Sequence, residues 1–422
     1  MKLEELNLNP VAKVRESTNF TVREIKKVCK NIGPRAAGSE NENKAQDYIL
    51  ENCAKFADTA EKETFRLSPR AFMAWPWLGA VIEFIAIALF ILSAFVPEQV
   101  AQILPIVSLG LTVCDILLIA LEFLLYKQIL DPFFKKADSS NVILTKKPKG
   151  EVQRRIIFSG HIDSAYEWRF THWGGYKLLR FAVFCALGSL IACLVLDILA
   201  VVLQPSDGVM FGFRVAEGVC VLFMTVGFMF DDPKRVVEGA NDDLTGVFSS
   251  IAVLQFLTTN NIELEHTEVV AVSMGSEESG LRGSKALVKA HKFDDVETVF
   301  VGTDTVHDIE FMGVYNRDMT GTVRLDEQAV TMVLHAAHES GMKLPKMTVD
   351  LGATDAAAMT QGGVRSVAFS AMDHSPARYY HTRLDTADNL SVPAIEKGVE
   401  ILIRTALLYD TYGLRDTYAS DI

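Results

Sequence analysis

The sequence lacks the residue patterns that are typical of disulfide frameworks, thiolate metal sites and nucleic-acid-binding surfaces. Its six cysteines form no Cys-x-x-Cys pair, and four of them lie inside long apolar runs. They therefore indicate reduced thiols that pack as small hydrophobic side chains, rather than a disulfide framework or a thiolate metal site. Basic residues are also few, because 41 lysines and arginines stand against 53 acidic residues and the net charge is −12. No patch of basic and aromatic residues is present, so we expect no nucleic-acid partner.

The sequence also has no glycine-rich phosphate loop, internal repeat or low-complexity tract. Its first residues, "MKLEELNLNPVAKVRESTNF", hold no apolar stretch after the lysine and do not predict a secretory signal. Together with the unpaired cysteines, this favours reducing surroundings for the polar part of the chain.

Apolar residues are abundant, at 49% of the 422 residues, and they concentrate in two blocks, 71–126 and 178–230. Each block divides into two mostly apolar runs joined by a short turn, "VPEQVAQ" in the first block and "QPSDG" in the second. Each run has the roughly 20 residues that a bilayer-spanning helix requires. We therefore predict two transmembrane helical hairpins, at 71–126 and 178–230, with the lipid bilayer as a partner.

Charged residues interrupt these runs, and they support an alternative interpretation, a buried helical insertion or an interface of a homo-oligomer. A charge at mid-bilayer costs about 2.5–3.5 kcal/mol on insertion scales. If the hairpins span a membrane, the charged side chains should face one another or the interior of the bundle. The interrupting residues are Glu83, Asp115, Glu122, Asp197, Arg214 and Glu217.

The distribution of basic residues predicts an orientation. Neither 71–126 nor 181–213 contains a lysine or arginine, so both hairpin turns lack positive charge. The positive-inside rule places the opposite ends in the cytoplasm. We therefore predict a multi-pass membrane protein whose polar domain lies on the cytoplasmic side. The opposite ends carry Arg66, Arg70, Lys127, Lys135, Lys136, Arg169, Lys177, Arg180, Lys234 and Arg235.

The remaining segments, 1–70, 127–177 and 231–422, predict one discontinuous α/β domain. Short β-branched runs such as "RRIIFSGHID" and "EVVAVSMGSEE" alternate with helical patterns such as "NENKAQDYILENCAKF". This alternation favours a mostly parallel central sheet. Ligands of such sheets gather beyond the carboxyl ends of the strands, so polar residues at those ends are the candidates for chemistry.

Histidines and acidic residues stand at these strand ends and in nearby loops. Imidazole and carboxylate ligands without thiolates suit zinc, or manganese and cobalt in other settings. Adjacent side chains on an extended segment point to opposite sides, so one glutamate of the "EE" pair can face a metal while the other faces the water that the metal activates. The candidates are His161 and Asp163 in "SGHIDSAYEW", Asp242 in "EGANDDLTGV", Glu277 and Glu278 in "SMGSEESGLRGS", Asp304 in "VFVGTDTV" and His381 in "YYHTRLDTADNL".

Taken together, the motifs resemble those of the co-catalytic dizinc aminopeptidase family, which includes glutamate carboxypeptidases, glutaminyl cyclases and the catalytically dead transferrin-receptor domain. The matching pieces, in the family's order, are "GPRAAGSENENKAQDYI", "SGHIDS", "GANDDLTGV", "EESGLRGS", the "TD" strand end and "YHTRLDT". The resemblance covers nearly all of the α/β segments and neither apolar block. It implies the three-layer zinc-exopeptidase fold, interrupted by the two hairpins.

The resemblance also implies a role for each candidate. His161 would bind one zinc ion and His381 the other, Asp242 would bridge both, and Glu278 and Asp304 would each complete one metal's ligands. Glu277 would be the general base and acid, and Asp163 would accept the second ring N–H of His161 and fix its tautomer. Tyr380, which directly precedes His381, is a candidate donor to the oxyanion, and Asp355 is a candidate substrate contact in "GATDAAAM", which matches a family loop that usually reads Ser-Asp. Asp373 and His374 are further candidates for lining the pocket.

The implied function is a membrane-anchored metallopeptidase that hydrolyses short peptides as an aminopeptidase and binds two Zn²⁺. Three alternatives remain open at this point. One is a carboxypeptidase or a glutaminyl cyclase on the same scaffold, although such cyclases typically bind one zinc and lack the "EESGLRGS" form. Another is a non-catalytic receptor, and the third is a transport protein with a regulatory peptidase domain.

Overall fold

The computed structural model describes residues 2–6, 8–373, 375, 377–416 and 418. The chain forms two compact units. The globular unit comprises Met1–Pro69, Lys135–Tyr166 and Arg235–Ile422. The helical unit comprises Arg70–Phe134 and Glu167–Lys234.

The strands of the described chain are numbered in order. They are β1 (Thr59–Leu67), β2 (Ala137–Lys146), β3 (Arg154–His161), β4 (Tyr166–Trp168), β5 (Asp231–Val236), β6 (Thr267–Met274), β7 (Glu297–Val306), β8 (Met312–Asp318), β9 (Val323–Arg324), β10 (Lys346–Thr348) and β11 (Arg365–Ala371).

The α-helices are numbered in the same way. They are α1 (Pro10–Asn31), α2 (Glu40–Cys53), α3 (Trp75–Leu92), α4 (Glu98–Ala101), α5 (Leu104–Leu118), α6 (Arg169–Leu203), α7 (Asp207–Met224), α8 (Val226–Met229), α9 (Leu244–Thr259), α10 (Arg282–Ala290), α11 (Glu327–Glu339), α12 (Asp355–Gln361) and α13 (Val392–Tyr412).

A nine-stranded sheet forms the centre of the globular unit, in the order β1-β2-β6-β3-β7-β11-β8-β10 with β9 beside β8. The four central strands β6, β3, β7 and β11 run parallel. Antiparallel pairs flank them, β1 with β2 and β2 with β6 on one side and β11 with β8 on the other. Strands β4 and β5 form a separate two-stranded sheet. The predicted α/β class with a mostly parallel central sheet is confirmed.

The register of the central strands brings their carboxyl ends to one edge. His161, the last residue of β3, pairs with Met274, the last residue of β6. Ser159 pairs with Gly302 of β7, two residues before Asp304. His161, Asp304 and the loop after Met274 therefore lie at the same edge of the sheet.

Helix α9 fixes one more segment at this edge. Every residue from Leu244 to Leu257 is buried, and the helix packs on β3, β6 and β7. Asp243 caps its amino end by accepting a hydrogen bond from the N–H of Gly246 at 2.8 Å. The residue just before this cap, Asp242, is thereby held at the start of a rigid, buried helix.

The helical unit consists mainly of four long apolar helices. They lie within Phe72–Leu92, Glu98–Leu124, Arg169–Leu203 and Asp207–Met229, and each is long and apolar enough to cross a membrane. The second of these continues beyond α5 as a π-helical turn, Ile119–Leu124, and the third has a break in helical geometry at Gly175. The helices pack as α3 with α5 and α7, and α6 with α5 and α7.

Candidate metal centre

One carboxylate lies between two imidazoles at the edge of the sheet. Asp242 Oδ1 is 3.1 Å from His161 Nε2, and Asp242 Oδ2 is 3.1 Å from His381 Nε2. His161 ends β3, whereas His381 stands in the loop before α13 and has a positive φ of 51°. The structure thus brings together three residues that are distant in sequence, and the carboxylate offers one oxygen to each histidine.

Two further carboxylates complete this arrangement. Glu278 Oε1 lies 3.3 Å from His381 Nε2, and ligand atoms of Asp242, Glu278 and His381 all lie within 4.8 Å of one another. On the other side, ligand atoms of His161, Asp243 and Asp304 meet the same limit. All five predicted metal ligands therefore converge at one edge of the sheet.

Glu277 faces the other imidazole. Its Oε2 is 3.9 Å from His161 Nε2, and ligand atoms of His161, Glu277 and Glu278 lie within 4.8 Å of one another. Adjacent glutamates thus point one toward His161 and the other toward His381.

Asp163 fixes the loop that carries this pair. Its Oδ1 accepts the main-chain N–H of Glu277 at 2.9 Å, and its Oδ2 accepts that of Glu278 at 3.0 Å. The nearest acceptor for His161 Nδ1 is the main-chain oxygen of Asp163 at 3.2 Å, and the carboxylate Oδ1 lies at 3.4 Å. Asp163 therefore orients both His161 and the two glutamates, where the sequence indicated only the histidine.

Two further acidic residues, Asp385 and Asp243, hold the loop that carries Asp242. Asp385 accepts hydrogen bonds from the main-chain N–H groups of Asn241 and Asp242, at 2.8 and 3.1 Å, and from Asn241 Nδ2. Asp243 accepts the main-chain N–H groups of His161 and Thr305, each at 3.0 Å. The peptide bond between Asp242 and Asp243 is cis. No sequence pattern indicated these roles of Asp385 and Asp243.

Residues of the "GPRAAGSENE" motif hold the loops at the same edge of the sheet. Arg35 is fully buried and donates to the main-chain oxygens of Ile162, Gly239 and Glu238 at 2.7–2.9 Å. Arg35 thereby ties the segment after His161 to the segment before Asp242. Glu42 adds a second link, since it accepts from Ser276 Oγ at 2.8 Å.

Burial and like charges dominate the electrostatics. Burial raises the pKa of Glu277 well above that of an ordinary carboxyl group, and the charges of Asp355 and Glu278 raise it further. Burial, reinforced by Asp242, raises the pKa of Asp304 to about 7. Such a concentration of buried acidic groups requires compensating positive charge.

Without a bound metal ion, the two protonated histidines supply that positive charge. Burial lowers the pKa of His381, but Glu278 and Asp242 outweigh it and raise the pKa to about 10. Burial also raises the pKa of Asp242, yet the adjacent positive charges of the His161 and His381 imidazoles hold it below its usual range.

Zinc fits the residues present. Asp242 Oδ2 and Glu278 Oε1 are buried and have no hydrogen-bond partner among the described residues, so each presents a free lone pair toward the imidazoles. Imidazole nitrogen and carboxylate oxygen are zinc ligands, and divalent cations would also balance the buried carboxylates.

One of the predicted substrate-contact residues contacts this centre. Tyr380 stacks on His381 with ring centroids 4.0 Å apart, and burial raises the pKa of its hydroxyl well above the usual range. Asp355 is buried at the start of α12, and burial raises its pKa to about 6. Asp373 donates its main-chain N–H to Asp308, and His374 lies outside the described residues.

Residues 225–406 match the sequence profile described as "Peptidase family M28". The resemblance to the co-catalytic zinc peptidase family is thus confirmed. We found no match among curated protein sequences.

Solved structures with the same fold include both peptidases and cyclases. An aminopeptidase from Aneurinibacillus sp. strain AM-1 has 14% identity and a TM-score of 0.52, over 94% of this chain and 95% of that one. A zinc aminopeptidase from Bacillus subtilis has 14% identity and a TM-score of 0.53, over 93% and 95%. A glutaminyl cyclase from Fimbriiglobus ruber has 13% identity and a TM-score of 0.52, over 93% and 95%.

Proposed function

We propose that this protein is a membrane-anchored dizinc exopeptidase that removes residues from the amino end of short peptides. The observation that carries the proposal is the position of Asp242, which offers one carboxylate oxygen to each of two imidazoles. One ion would be held by His161, Asp242 and Asp304, and the other by His381, Asp242 and Glu278. Asp242 would then be the shared ligand.

Bound zinc would polarise the scissile carbonyl and acidify water at neutral pH. Glu277 lies beside His161 without belonging to either proposed ligand set, so its carboxylate is free to take a proton from the attacking water and deliver it to the leaving amine. Asp163 keeps this carboxylate in place through the main chain.

An exposed apolar surface around buried acids supports membrane anchoring. In α5, Ile106 and Leu117 are 54% and 51% exposed, whereas Asp115 on the same helix is buried. A soluble helix shows the opposite distribution, but a helix in lipid turns its polar residues inward. The basic residues that flank the spans would place the globular unit in the cytoplasm.

A cyclase remains the second candidate, because glutaminyl cyclases are among the structures with this fold. The two proposed metal sites favour the peptidase. A cyclase would close the ring of an amino-terminal glutamine and leave every peptide bond intact, whereas an aminopeptidase would release a free amino acid. Product analysis therefore separates the two.

The test combines metal analysis with a substrate panel. The purified full-length protein should bind two zinc ions and hydrolyse aminoacyl anilides and short peptides with a free amino end, but not amino-blocked peptides. His381→Ala should lower the zinc content, because it removes a ligand from one proposed site. Hydrolysis of blocked peptides from the carboxyl end, or ring closure of glutaminyl peptides alone, would overturn the aminopeptidase assignment. Unchanged zinc in His381→Ala would overturn the ligand set.

A further inference from the structure

The second membrane-spanning segment buries its polar residues in a line. Ser108, Thr112, Asp115 and Glu122 are all buried, and their spacing of four, three and seven residues places them on one helical face. From Ser108 to Asp115 this line covers about 10 Å of helix at 1.5 Å per residue. An otherwise apolar helix thus turns a polar stripe toward its neighbours.

Carboxylates of the neighbouring helices meet this stripe through hydroxyl groups. Thr112 Oγ1 donates to Asp197 Oδ2 of α6 at 3.1 Å and lies 3.4 Å from Glu83 Oε1 of α3. Ser108 Oγ also donates to Asp197 Oδ2, at 3.2 Å. The hydroxyl of Thr112 therefore connects two carboxyl groups from different helices.

A fourth helix adds a carboxyl group without any hydrogen-bond partner. Glu217 of α7 is 0% exposed, and neither of its carboxylate oxygens has a partner among the described residues. Helix α7 packs on α3 and α6, so this buried side chain faces the same interior. Glu83 Oε2, Asp115 Oδ1 and Asp197 Oδ1 are likewise buried without a hydrogen bond.

The bundle provides no positive charge for these four acids. None of Glu83, Asp115, Asp197 and Glu217 forms an ion pair with a basic side chain in the described part of the chain. The one arginine nearby in sequence, Arg214, donates instead to Ser93 Oγ at 2.9 and 3.2 Å. The remaining titratable neighbours are the thiols of Cys193 and Cys220, which pack between α6, α7 and α3.

The spacing of these groups favours protons over a coordinated metal ion. Ligands of a metal ion must converge to about 2.0–2.6 Å from one point. No three His, Cys, Asp or Glu side chains of this interior bring ligand atoms within 4.8 Å of one another among the described residues, whereas three such groups occur at the candidate metal centre. Acids linked in a chain by hydroxyls are instead the arrangement that proton relays use in membranes.

We propose that the helical unit conducts protons along the chain formed by Asp197, Thr112 and Glu83, with Ser108, Asp115 and Glu217 beside it. In the central step, protonated Asp197 gives its proton to the Thr112 hydroxyl oxygen while that hydroxyl gives its own proton to ionised Glu83. Two O–H bonds break and two form, and Asp197 is left ionised and Glu83 protonated. The inference rests on the proposed membrane insertion and not on the peptidase activity.

The test uses the full-length protein in liposomes that contain a pH-sensitive dye, with potassium and valinomycin to balance charge. An imposed pH difference should decay faster than in protein-free liposomes. Thr112→Val should reduce the decay to the protein-free rate, because valine keeps the shape but lacks the hydroxyl. Thr112→Ser is the matched control and should retain proton flux. Circular dichroism and thermal unfolding should be equal for all three proteins, which establishes that each is folded.

Several outcomes would overturn the proposal. Wild-type decay equal to that of protein-free liposomes would remove proton conduction, and equal flux in Thr112→Val and wild type would remove the relay through Thr112. Flux of sodium, calcium or zinc ions without proton flux would instead make the interior a metal-ion pathway. Flotation of the liposomes on a density gradient separates these results from failure of membrane insertion, in which the protein would not float with the lipid.

Discussion

At the scale of single residues, the centre depends on neighbouring side chains that face different partners. Glu277 and Glu278 are adjacent in the chain, yet one lies 3.9 Å from His161 Nε2 and the other 3.3 Å from His381 Nε2. Asp163 makes this division possible because each of its oxygens accepts one of their main-chain N–H groups. The proposed catalytic base and the proposed metal ligand can therefore be adjacent in sequence and still face different imidazoles.

Glu277→Gln tests the assignment of the base. Glutamine keeps the size of the side chain but cannot accept a proton from water at neutral pH. We expect kcat to fall by about 10²–10⁴-fold, the usual contribution of general acid–base catalysis, with zinc content unchanged. Steady-state kinetics and metal analysis of the same preparation measure both quantities.

Glu278→Gln is the matched comparison for that variant. It alters the adjacent residue in the same way but weakens a proposed ligand, so we expect it to lose zinc as well as activity. Wild-type turnover in Glu277→Gln would exclude Glu277 as the base. Loss of zinc from Glu277→Gln with retention in Glu278→Gln would exchange the two roles.

Asp163→Asn tests the positioning of this pair. Asparagine has one acceptor oxygen, so one of the N–H groups of Glu277 and Glu278 would lose its partner inside the protein. We expect a loss of about 1–3 kcal/mol in the free energy of unfolding and a lower kcat with little change in KM. Denaturant unfolding and kinetics provide the measurements. Asp138→Asn, at an exposed carboxylate of the same unit, is the control, and an equal effect in both variants would contradict the role of Asp163.

The candidate ligands could be identified from the sequence because each stands in a short motif at the end of an apolar run. The residues that orient these ligands could not be identified in this way. Asp385 contacts Asn241 and Asp242, more than 140 positions earlier in the chain. Arg35 donates to the main-chain oxygens of Ile162 and Glu238, which are far from it in sequence. A hydrogen bond to a main-chain atom does not depend on which amino acid carries that atom. Such contacts therefore leave no pattern in the sequence, and only the folded structure reveals them.

At the scale of secondary-structure elements, close packing of β3 and α9 places His161 beside Asp242. Gly160 allows this approach, since a Cβ atom there would lie 2.3 Å from the main-chain nitrogen of Val247 and 2.6 Å from Asp243 Oδ2. The same Asp243 accepts the N–H of His161. The strand and the helix are thus fixed to each other next to the proposed metal ligands.

Gly160→Ala should disturb both stability and metal binding. The added methyl group must push α9 away from β3, and overpacking of this kind costs about 1–3 kcal/mol. We expect a lower unfolding temperature and a lower zinc content, because the displacement acts next to His161 and Asp242. Thermal unfolding and metal analysis in detergent measure the two effects.

Gly188→Ala provides the control, because a Cβ atom at this exposed position of α6 meets no atom within 4 Å. Alanine favours the helix, so stability should be unchanged or slightly higher. Equal zinc content in Gly160→Ala and wild type would show that the contact does not position the ligands.

The sequence predicted the elements with strong periodicity better than their arrangement. The apolar runs of β3, β6 and β7 and the helical pattern of α2 correspond to observed elements. The turn predicted at "VPEQVAQ" contains the short helix α4. The antiparallel direction of β1, β2 and β8 had no signal, because strand direction is set by partners far away in sequence.

At the scale of the whole molecule, the chain leaves the globular unit after Pro69 and after Tyr166 and returns to it at Lys135 and Arg235. Each excursion contains two of the four long apolar helices. Both passages thus begin and end with the same unit. If the helices span a membrane, both ends of each hairpin must lie on the side of the globular unit, and both turns on the other side.

Cysteine labelling in intact cells tests this topology. Glu98 and Asp207 are exposed at the two turns, and Glu40 is exposed on the globular unit. Since the turns lack lysine and arginine, the positive-inside rule places them outside the cytoplasm. A membrane-impermeant maleimide should label Glu98→Cys and Asp207→Cys in intact cells but Glu40→Cys only after lysis. The unsubstituted protein controls for the natural cysteines. Labelling of Glu40→Cys alone would reverse the orientation, and labelling of one turn but not the other would contradict the pair of hairpins.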